Sequence, residues 1–210
     1  MISILIADDH TVVRRGVLQI LAEAPDMVAT GEASTGGEVL QAVRQNDFDV
    51  VLLDIALPDI SGLEILKQLR SLKPDLQVLI LSMYPERQYA IRALKAGASG
   101  YLTKESAPAE LIAAIRQVSQ GRKYVTQSLA EKLAAELGRE TQQEPHETLS
   151  DREYQVMCLL ASGKSVTEIA TELSLSIKTV STYRTRILDK LNLENTAQII
   201  RYALKRGLVE

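Results

Sequence analysis

Three short, almost uninterrupted apolar runs constrain the fold most: Ile2–Ala7, Val50–Leu53 and Val78–Leu81. Runs of this length and evenness suit strands buried on both faces, the situation of a parallel sheet covered by helices. Gly100–Leu102 is a shorter candidate, and Val28–Ala33 carries the weakest strand signal. Helical periods separate them. Val13, Val17, Ile20, Leu21 and Ala24 share one face, as do Leu63, Leu66 and Leu69, and then Leu111, Ile115 and Val118. Turn signals fall between, at Leu57-Pro58-Asp59, Lys73-Pro74-Asp75 and Gly97. Five strands alternating with five helices predict a flavodoxin-like α/β fold. Its sheet is parallel, with strand order 2-1-3-4-5 under right-handed crossovers.

The second part of the chain has no strand pattern. Gln127–Leu137 reads as one further helix, and 138–148 as a polar linker that contains Pro145, Glu140, Glu144 and Glu147. Four short helices follow, at about 151–162, 166–173, 177–191 and 195–206. Ser150-Asp151-Arg152-Glu153 and Ser165-Val166-Thr167-Glu168 both match the capping box that opens a helix. Ser176 is placed to cap the third. Two helices around the tight break Ser174-Leu175-Ser176 make a helix-turn-helix, with Ile177–Leu191 as its reading helix. The organisation is thus an α/β domain over 1–121, a helix and linker over 122–147, and an all-α domain over 148–210.

Charge divides along the same lines. The whole chain carries −3, but 1–124 holds −2, 125–147 holds −3 and 148–210 holds +2. That excludes a protein that coats nucleic acid generally and leaves the last domain free to meet an anion. The reading helix concentrates the positive charge: from 176 to 190 it has four Lys/Arg against Asp189. No apolar run is long enough to cross a membrane, and Met1–Ala7 lacks the basic leader of a signal peptide. The single Cys158, inside an apolar helical pattern, suits core packing and a reducing cytoplasm.

Ligands of open parallel sheets bind beyond the carboxyl ends of the strands. Those ends carry Asp8-Asp9, Asp54, Ser82 and Lys104. Any one alone is an ordinary turn residue; their coincidence at successive strand ends is what points to a site. Carboxylates held close repel, and a hard divalent cation such as Mg²⁺ relieves them. A cation, an amine and a hydroxyl around Asp54 suit a phosphoryl group, with Asp54 as its acceptor. His10 follows the acidic pair, but a hard ion prefers the carboxylates.

The same residues resemble a known family. Ile6-Ala7-Asp8-Asp9-His10, Asp54-Ile55-Ala56-Leu57-Pro58 with Gly62, Leu81-Ser82-Met83, and Gly97-Ala98 with Gly100-Tyr101-Leu102-Thr103-Lys104 are similar, in order and spacing, to the receiver domain of response regulators. One departure is Glu105, where many receivers have proline. The resemblance implies Asp54 as phosphoacceptor and Lys104, Ser82 and Tyr101 as its switch residues, with Ser82 moving toward the phosphoryl group and Tyr101 turning inward behind it. It implies Mg²⁺ on Asp9, Asp54 and the Ala56 backbone carbonyl, with Asp8 assisting through water.

Leu149-Ser150-Asp151-Arg152-Glu153, Glu168-Ile169-Ala170 and Lys178-Thr179-Val180-Ser181-Thr182-Tyr183 resemble the LuxR-type helix-turn-helix of NarL/FixJ response regulators. That implies base contacts from Ser181, Thr182 and Thr185, and phosphate contacts from Lys178, Thr179, Tyr183, Arg184 and Arg186. Lys190 adds a further donor on the same helix. It also implies a dimer contact on the last helix at Thr196, Ile199, Ile200 and Ala203. The partners expected are a sensor histidine kinase, double-stranded DNA and, when phosphorylated, a second copy. Two other readings use part of the pattern: a phosphatase or phosphotransferase built on Asp54, and a DNA binder indifferent to phosphorylation.

Overall fold

The structure, a computed structural model, describes residues 1–137 and 144–209 and divides into two compact units, Met1–Ala134 and Ala135–Glu210. In the first unit, strands β1 (Ile2–Ala7), β2 (Met27–Ala33), β3 (Val50–Leu53), β4 (Gln77–Ser82) and β5 (Gly100–Thr103) form one parallel sheet of order β2-β1-β3-β4-β5. Helices α1 (Thr11–Ala22), α2 (Gly36–Gln45), α3 (Gly62–Leu72), α4 (Glu86–Lys95) and α5 (Pro108–Ser119) connect or follow the strands. The order matches the sequence expectation.

Strand alternation splits the core into two layers. Ile4, Ile6, Val50, Leu52, Leu79, Leu81 and Leu102 face Val17 and Leu21 of α1 and Leu111, Ala114, Ile115 and Val118 of α5. Leu5, Val51, Leu53 and Ile80, also buried, point the other way. The faint signal of β2 has a physical reason. It is an edge strand whose burial alternates between buried ends and partly exposed middle positions, so it lacks the apolar run of β1 or β3.

Helix α6 (Gln127–Leu137) follows, as expected. Its start is tied to the first unit rather than free: the Thr126 hydroxyl bonds the Glu86 carboxylate at 2.7 and 2.8 Å. Of the expected linker, 138–143 lie outside the described residues, while Pro145–Thr148 form a 3₁₀ turn that packs on the third helix of the second unit. The second unit then has α7 (Asp151–Ala161), α8 (Val166–Glu172), α9 (Ile177–Leu191) and α10 (Thr196–Lys205), each within one residue of expectation at either end. Both capping boxes form with reciprocal bonds, and Ser176 caps α9 by accepting from Thr179 N–H. The break between α8 and α9 places Ser174 at φ 52°, the left-handed conformation that turns the chain sharply. Cys158 is buried and in no disulfide, which fits core packing.

Gly62 is the tightest point of the first unit. A Cβ there would lie 2.1 Å from the Asp54 carbonyl oxygen and 2.8 Å from Ile55 Cα, and the Gly62 N–H bonds Ile55 O at 2.9 Å. Only a residue without a side chain lets α3 start against the end of β3. Gly16, inside α1, has nothing within 4 Å of its notional Cβ. Gly62→Ala is therefore expected to lower the stability of the full chain by about 2–3 kcal/mol. Gly16→Ala is expected to raise it by roughly 0.5–1 kcal/mol through helix propensity alone. Urea midpoints read both, and equal shifts for the two would contradict the close approach at Gly62.

Candidate functional site

The carboxyl ends of β1, β3, β4 and β5 bring Asp8, Asp54, Ser82 and Lys104 together. Lys104 Nζ lies 2.6 Å from Asp8 Oδ2 and 2.7 Å from Asp54 Oδ2, and all three side chains are at most 4% exposed. Asp54 is held on its other oxygen by the Ala56 N–H at 3.1 Å. Asp8 is oriented by the His10 N–H at 2.8 Å, an Asx turn at the end of β1.

One lysine thus serves two buried carboxylates, with the half-exposed Asp9 beside them. Burial pushes the Asp54 carboxyl above its usual range; Lys104 opposes this, and the neighbouring Asp8 charge adds to it. Burial alone would lower Lys104, but Asp54 and Asp8 outweigh it and raise its value. Ligand atoms of Asp8, Asp9, His10 and Asp54 all lie within 4.8 Å of one another. A donor set of mostly carboxylate oxygens carrying excess negative charge fits a hard divalent cation such as Mg²⁺. His10 is turned into that cluster rather than away from it, its Nδ1 2.7 Å from Asp9 Oδ1 and 3.3 Å from Asp8 Oδ1.

Ser82 is fully buried, and its Oγ accepts from Tyr84 N–H at 3.2 Å. The resemblance implies that Tyr101 turns inward behind Ser82. Here it is inward, 1% exposed, with its hydroxyl donating to Tyr84 O at 2.7 Å. Burial pushes its phenol well above the ordinary value; a bond with Ser82 opposes this, and the charges of Asp54, Tyr84 and Glu86 add to it. The β4–α4 loop is therefore pinned from two sides, by Ser82 and by Tyr101.

Two residues that sequence reasoning missed hold the site's frame. Arg14 donates from Nη1 to Asp8 O at 2.7 Å and from Nε to Glu32 at 3.0 Å, bracing the end of β1 against β2. Asp59 accepts from the Gly36 and Gly37 N–H groups at 2.8 and 2.9 Å, anchoring the loop after Asp54 to the N-terminus of α2. Burial works to raise the Asp59 carboxyl, yet these backbone bonds hold it below the usual range. The Arg14–Glu32 and Asp59 contacts span 18 to 23 residues and the Arg14–Asp8 bond six, and none of these spacings forms a local motif.

In the second unit the reading helix presents Lys178, Thr182, Thr185 and Arg186 as exposed residues, with Thr179, Ser181, Tyr183 and Arg184 half-buried. Val180, Ile187 and Leu191 face the core. Ile177, at the first turn, is 53% exposed and joins the candidate surface; an apolar side chain there suits a thymine methyl. Lys190 also bonds within the protein: its Nζ lies 2.6 Å from Glu153 Oε2 while its side chain stays 40% exposed, and Glu153 also closes the α7 capping box. Burial raises Glu153, but Lys190 and Ser150 outweigh it and hold it low. On α10, Ile199 and Ala203 are fully buried in a helix that packs on α7 and α9, so they are core and cannot meet a second copy. Thr196 and Ile200 are half-buried, and Ala197 and the 48% exposed Leu204 continue their face outward.

The buried triad contributes to the pH response of the first unit. A native carboxyl raised above its unfolded value binds more protons than the unfolded chain, so stability falls as pH rises through the raised value. Asp54→Asn is expected to raise the urea midpoint at pH 7, with the gain shrinking as pH falls through the carboxylate range. Lys104→Met leaves two buried carboxylates without their counter-charge and is expected to cost about 3–5 kcal/mol. Adding Asp54→Asn to Lys104→Met should recover part of that loss. Additive effects of the two substitutions would show that the charges do not interact.

Comparison with known proteins agrees with this geometry. The response regulator receiver domain family matches residues 4–116, and the luxR family of bacterial regulatory proteins matches residues 147–203. The response regulator UvrY of Escherichia coli K12 is 36% identical over 209 residues, covering 99% of this chain and 96% of its own. The response regulator GacA of Pseudomonas aeruginosa is 36% identical over 211 residues, covering 100% and 99%. Among solved structures, RcsB of Salmonella enterica serovar Typhimurium, bound to the rprA promoter with the phosphomimetic BeF₃⁻, superposes with a TM-score of 0.65. It is 28% identical and covers 96% of this chain and 97% of its own. With a receiver pocket at four strand ends, a capped helix-turn-helix after it and full-length relatives of the same organisation, the chain belongs to the NarL/FixJ family of two-component response regulators.

Proposed function

We propose that phosphorylation of Asp54 by a sensor histidine kinase controls dimerisation and sequence-specific DNA binding through α9, and so transcription. The observation that carries this reading is the triad of Asp8, Asp54 and Lys104: a buried site with too much negative charge, one lysine shared between two carboxylates, and a carboxylate at the strand ends whose oxygens can attack phosphorus. An Asp54 oxygen forms a P–O bond as the P–N bond to the kinase histidine, or the P–O bond of an acyl phosphate, breaks. Lys104 pairs with an equatorial oxygen of the transferred group, which weakens its hold on Asp8. Ser82 leaves Tyr84 N–H to bond a second oxygen. Asp9, Asp54 and the Ala56 carbonyl, with Asp8 assisting, would hold Mg²⁺, which would supply neutralisation of the phosphoryl charge. The group favours whichever loop arrangement it bonds best, which is a shift between two states.

At the DNA end, Ser181, Thr182 and Thr185 face bases, and Lys178, Thr179, Tyr183, Arg184 and Arg186 contact phosphates. Thr182 and Thr185 hydroxyls bond Lys178 O and Ser181 O within the helix at 2.9 and 3.2 Å, so reading a base acceptor requires these rotors to turn. The dimer contact uses the outward face of α10 at Thr196, Ala197, Ile200 and Leu204. Structures of RcsB bound to promoter DNA, and of two RcsB dimers on two DNAs, support DNA binding as a dimer. We read the chain as a cytoplasmic regulator and not as an enzyme acting on small phosphate esters; among the described residues no helix is long and apolar enough to cross a membrane.

Intact-mass measurement after acetyl phosphate and Mg²⁺ tests the chemistry: one added phosphoryl group is expected, and none in Asp54→Ala. Titration of fluorescent operator DNA tests the control, with tighter binding after phosphorylation. Equal affinity in both states would remove the switch and leave the DNA binding. Arg186→Ala is expected to weaken binding across sequences and to flatten the salt slope by about one. A change confined to sequence preference would remove its phosphate role.

A further inference from the structure

Glu86 stands at a junction between two helices. It is the first residue of α4, whose N-cap, Pro85, offers no side-chain bond, and it is the acidic residue of that helix's first turn. Its carboxylate also accepts from Thr126 Oγ1, at 2.7 and 2.8 Å. Thr126 in turn caps α6: its Oγ1 accepts from Leu129 N–H at 3.2 Å and its carbonyl from Ala130 N–H at 3.0 Å. The first turn of α6 has no acidic residue of its own. One carboxylate therefore serves the positive ends of two helices, and it polarises the hydroxyl that caps the second. Helix α6 is 11 residues long, a length at which a helix in water depends on its cap and its packing. Its packing anchor near the start is Leu129, 1% exposed.

On the other side Glu86 follows directly on the loop pinned by Ser82 and Tyr101. Tyr101 O–H bonds Tyr84 O, two residues before Glu86, and Ser82 Oγ accepts from Tyr84 N–H. Any loop rearrangement that releases Tyr84 moves Pro85 and Glu86 with it. The hydroxyl of Thr126 has a single proton, so once Glu86 moves it must find another acceptor or lose its orientation toward Leu129.

We propose that Glu86 and Thr126 are positioning residues that carry the state of the Ser82–Tyr101 loop to the N-terminus of α6, the helix that leads toward the DNA-binding unit. The inference rests on the Asp54 reading for its trigger, but the linkage itself does not depend on phosphorylation.

Amide exchange at Leu129, followed by NMR in the full chain, tests both parts. Without a phosphoryl donor, Glu86→Ala is expected to speed this exchange about threefold or more, Thr126→Val likewise, and Thr126→Ser to leave it unchanged. Tyr101→Phe is expected to speed it less, and the Tyr101→Phe/Glu86→Ala pair to match Glu86→Ala alone. Effects that multiply in the pair would overturn the linkage. With acetyl phosphate and Mg²⁺, exchange at Leu129 should rise in the wild type and not rise further in Glu86→Ala, although intact mass shows both phosphorylated. A rise that persists in Glu86→Ala would overturn the inference. Absence of a phosphoryl group on the wild type, with the first set of results intact, would remove Asp54 as trigger and keep the linkage.

Discussion

The contact of Lys104 with both Asp8 and Asp54 is the interaction on which the rest of the first unit depends. Two buried carboxylates and one ammonium leave an excess of negative charge among the strand ends, and half-exposed Asp9 adds to it. A fold left to stability alone would avoid this, since buried charges are expensive unless fully matched. The surrounding contacts make sense as devices that hold the unfavourable geometry in place. Gly62 lets α3 start against the backbone of Asp54, the Ala56 N–H fixes one carboxylate oxygen, Arg14 braces Asp8 and Asp59 anchors the loop. The stored imbalance is what makes a cation and a phosphoryl group welcome at that point.

The second unit follows the opposite logic. Its polar contacts are spent on rigidity rather than on reactivity. Ser150, Glu153 and Lys190 form a chain of bonds from the start of α7 to the end of α9. Ser176 closes one end of α9, and Asn192, left-handed at φ 52°, closes the other. A helix fixed at both ends delivers its first turns in a defined direction, which reading base edges requires.

Local features were legible in the sequence and distant polar ones were not. Both capping boxes were readable because donor and acceptor sit three residues apart, and β1, β3 and β4 because burial on both faces leaves continuous apolar runs. The convergence of Asp54, Ser82 and Lys104 was readable because a parallel sheet puts all its strand ends on one side. The resemblance placed Ile199 and Ala203 at a dimer contact, but an apolar residue on a helix does not tell whether its own core or a second copy covers it, and here the core covers both. Arg14, Asp59 and Glu86 left no trace, since their partners are far away in sequence and set only by the packed fold.

The size of these contacts limits how the two units can communicate. A capping hydroxyl is worth about 1 kcal/mol, so loosening the cap of α6 biases an equilibrium by roughly fivefold. Moving a population nearly completely from one state to another takes about 5.5 kcal/mol. The Glu86–Thr126 linkage can therefore tilt the helix that leads to the DNA-binding unit but cannot by itself switch it. A steep response needs that tilt multiplied, and the dimer on paired half-sites proposed above would multiply it, because a bias in each subunit enters the binding free energy twice. The receiver needs only a small lever if the DNA site reads two of them at once.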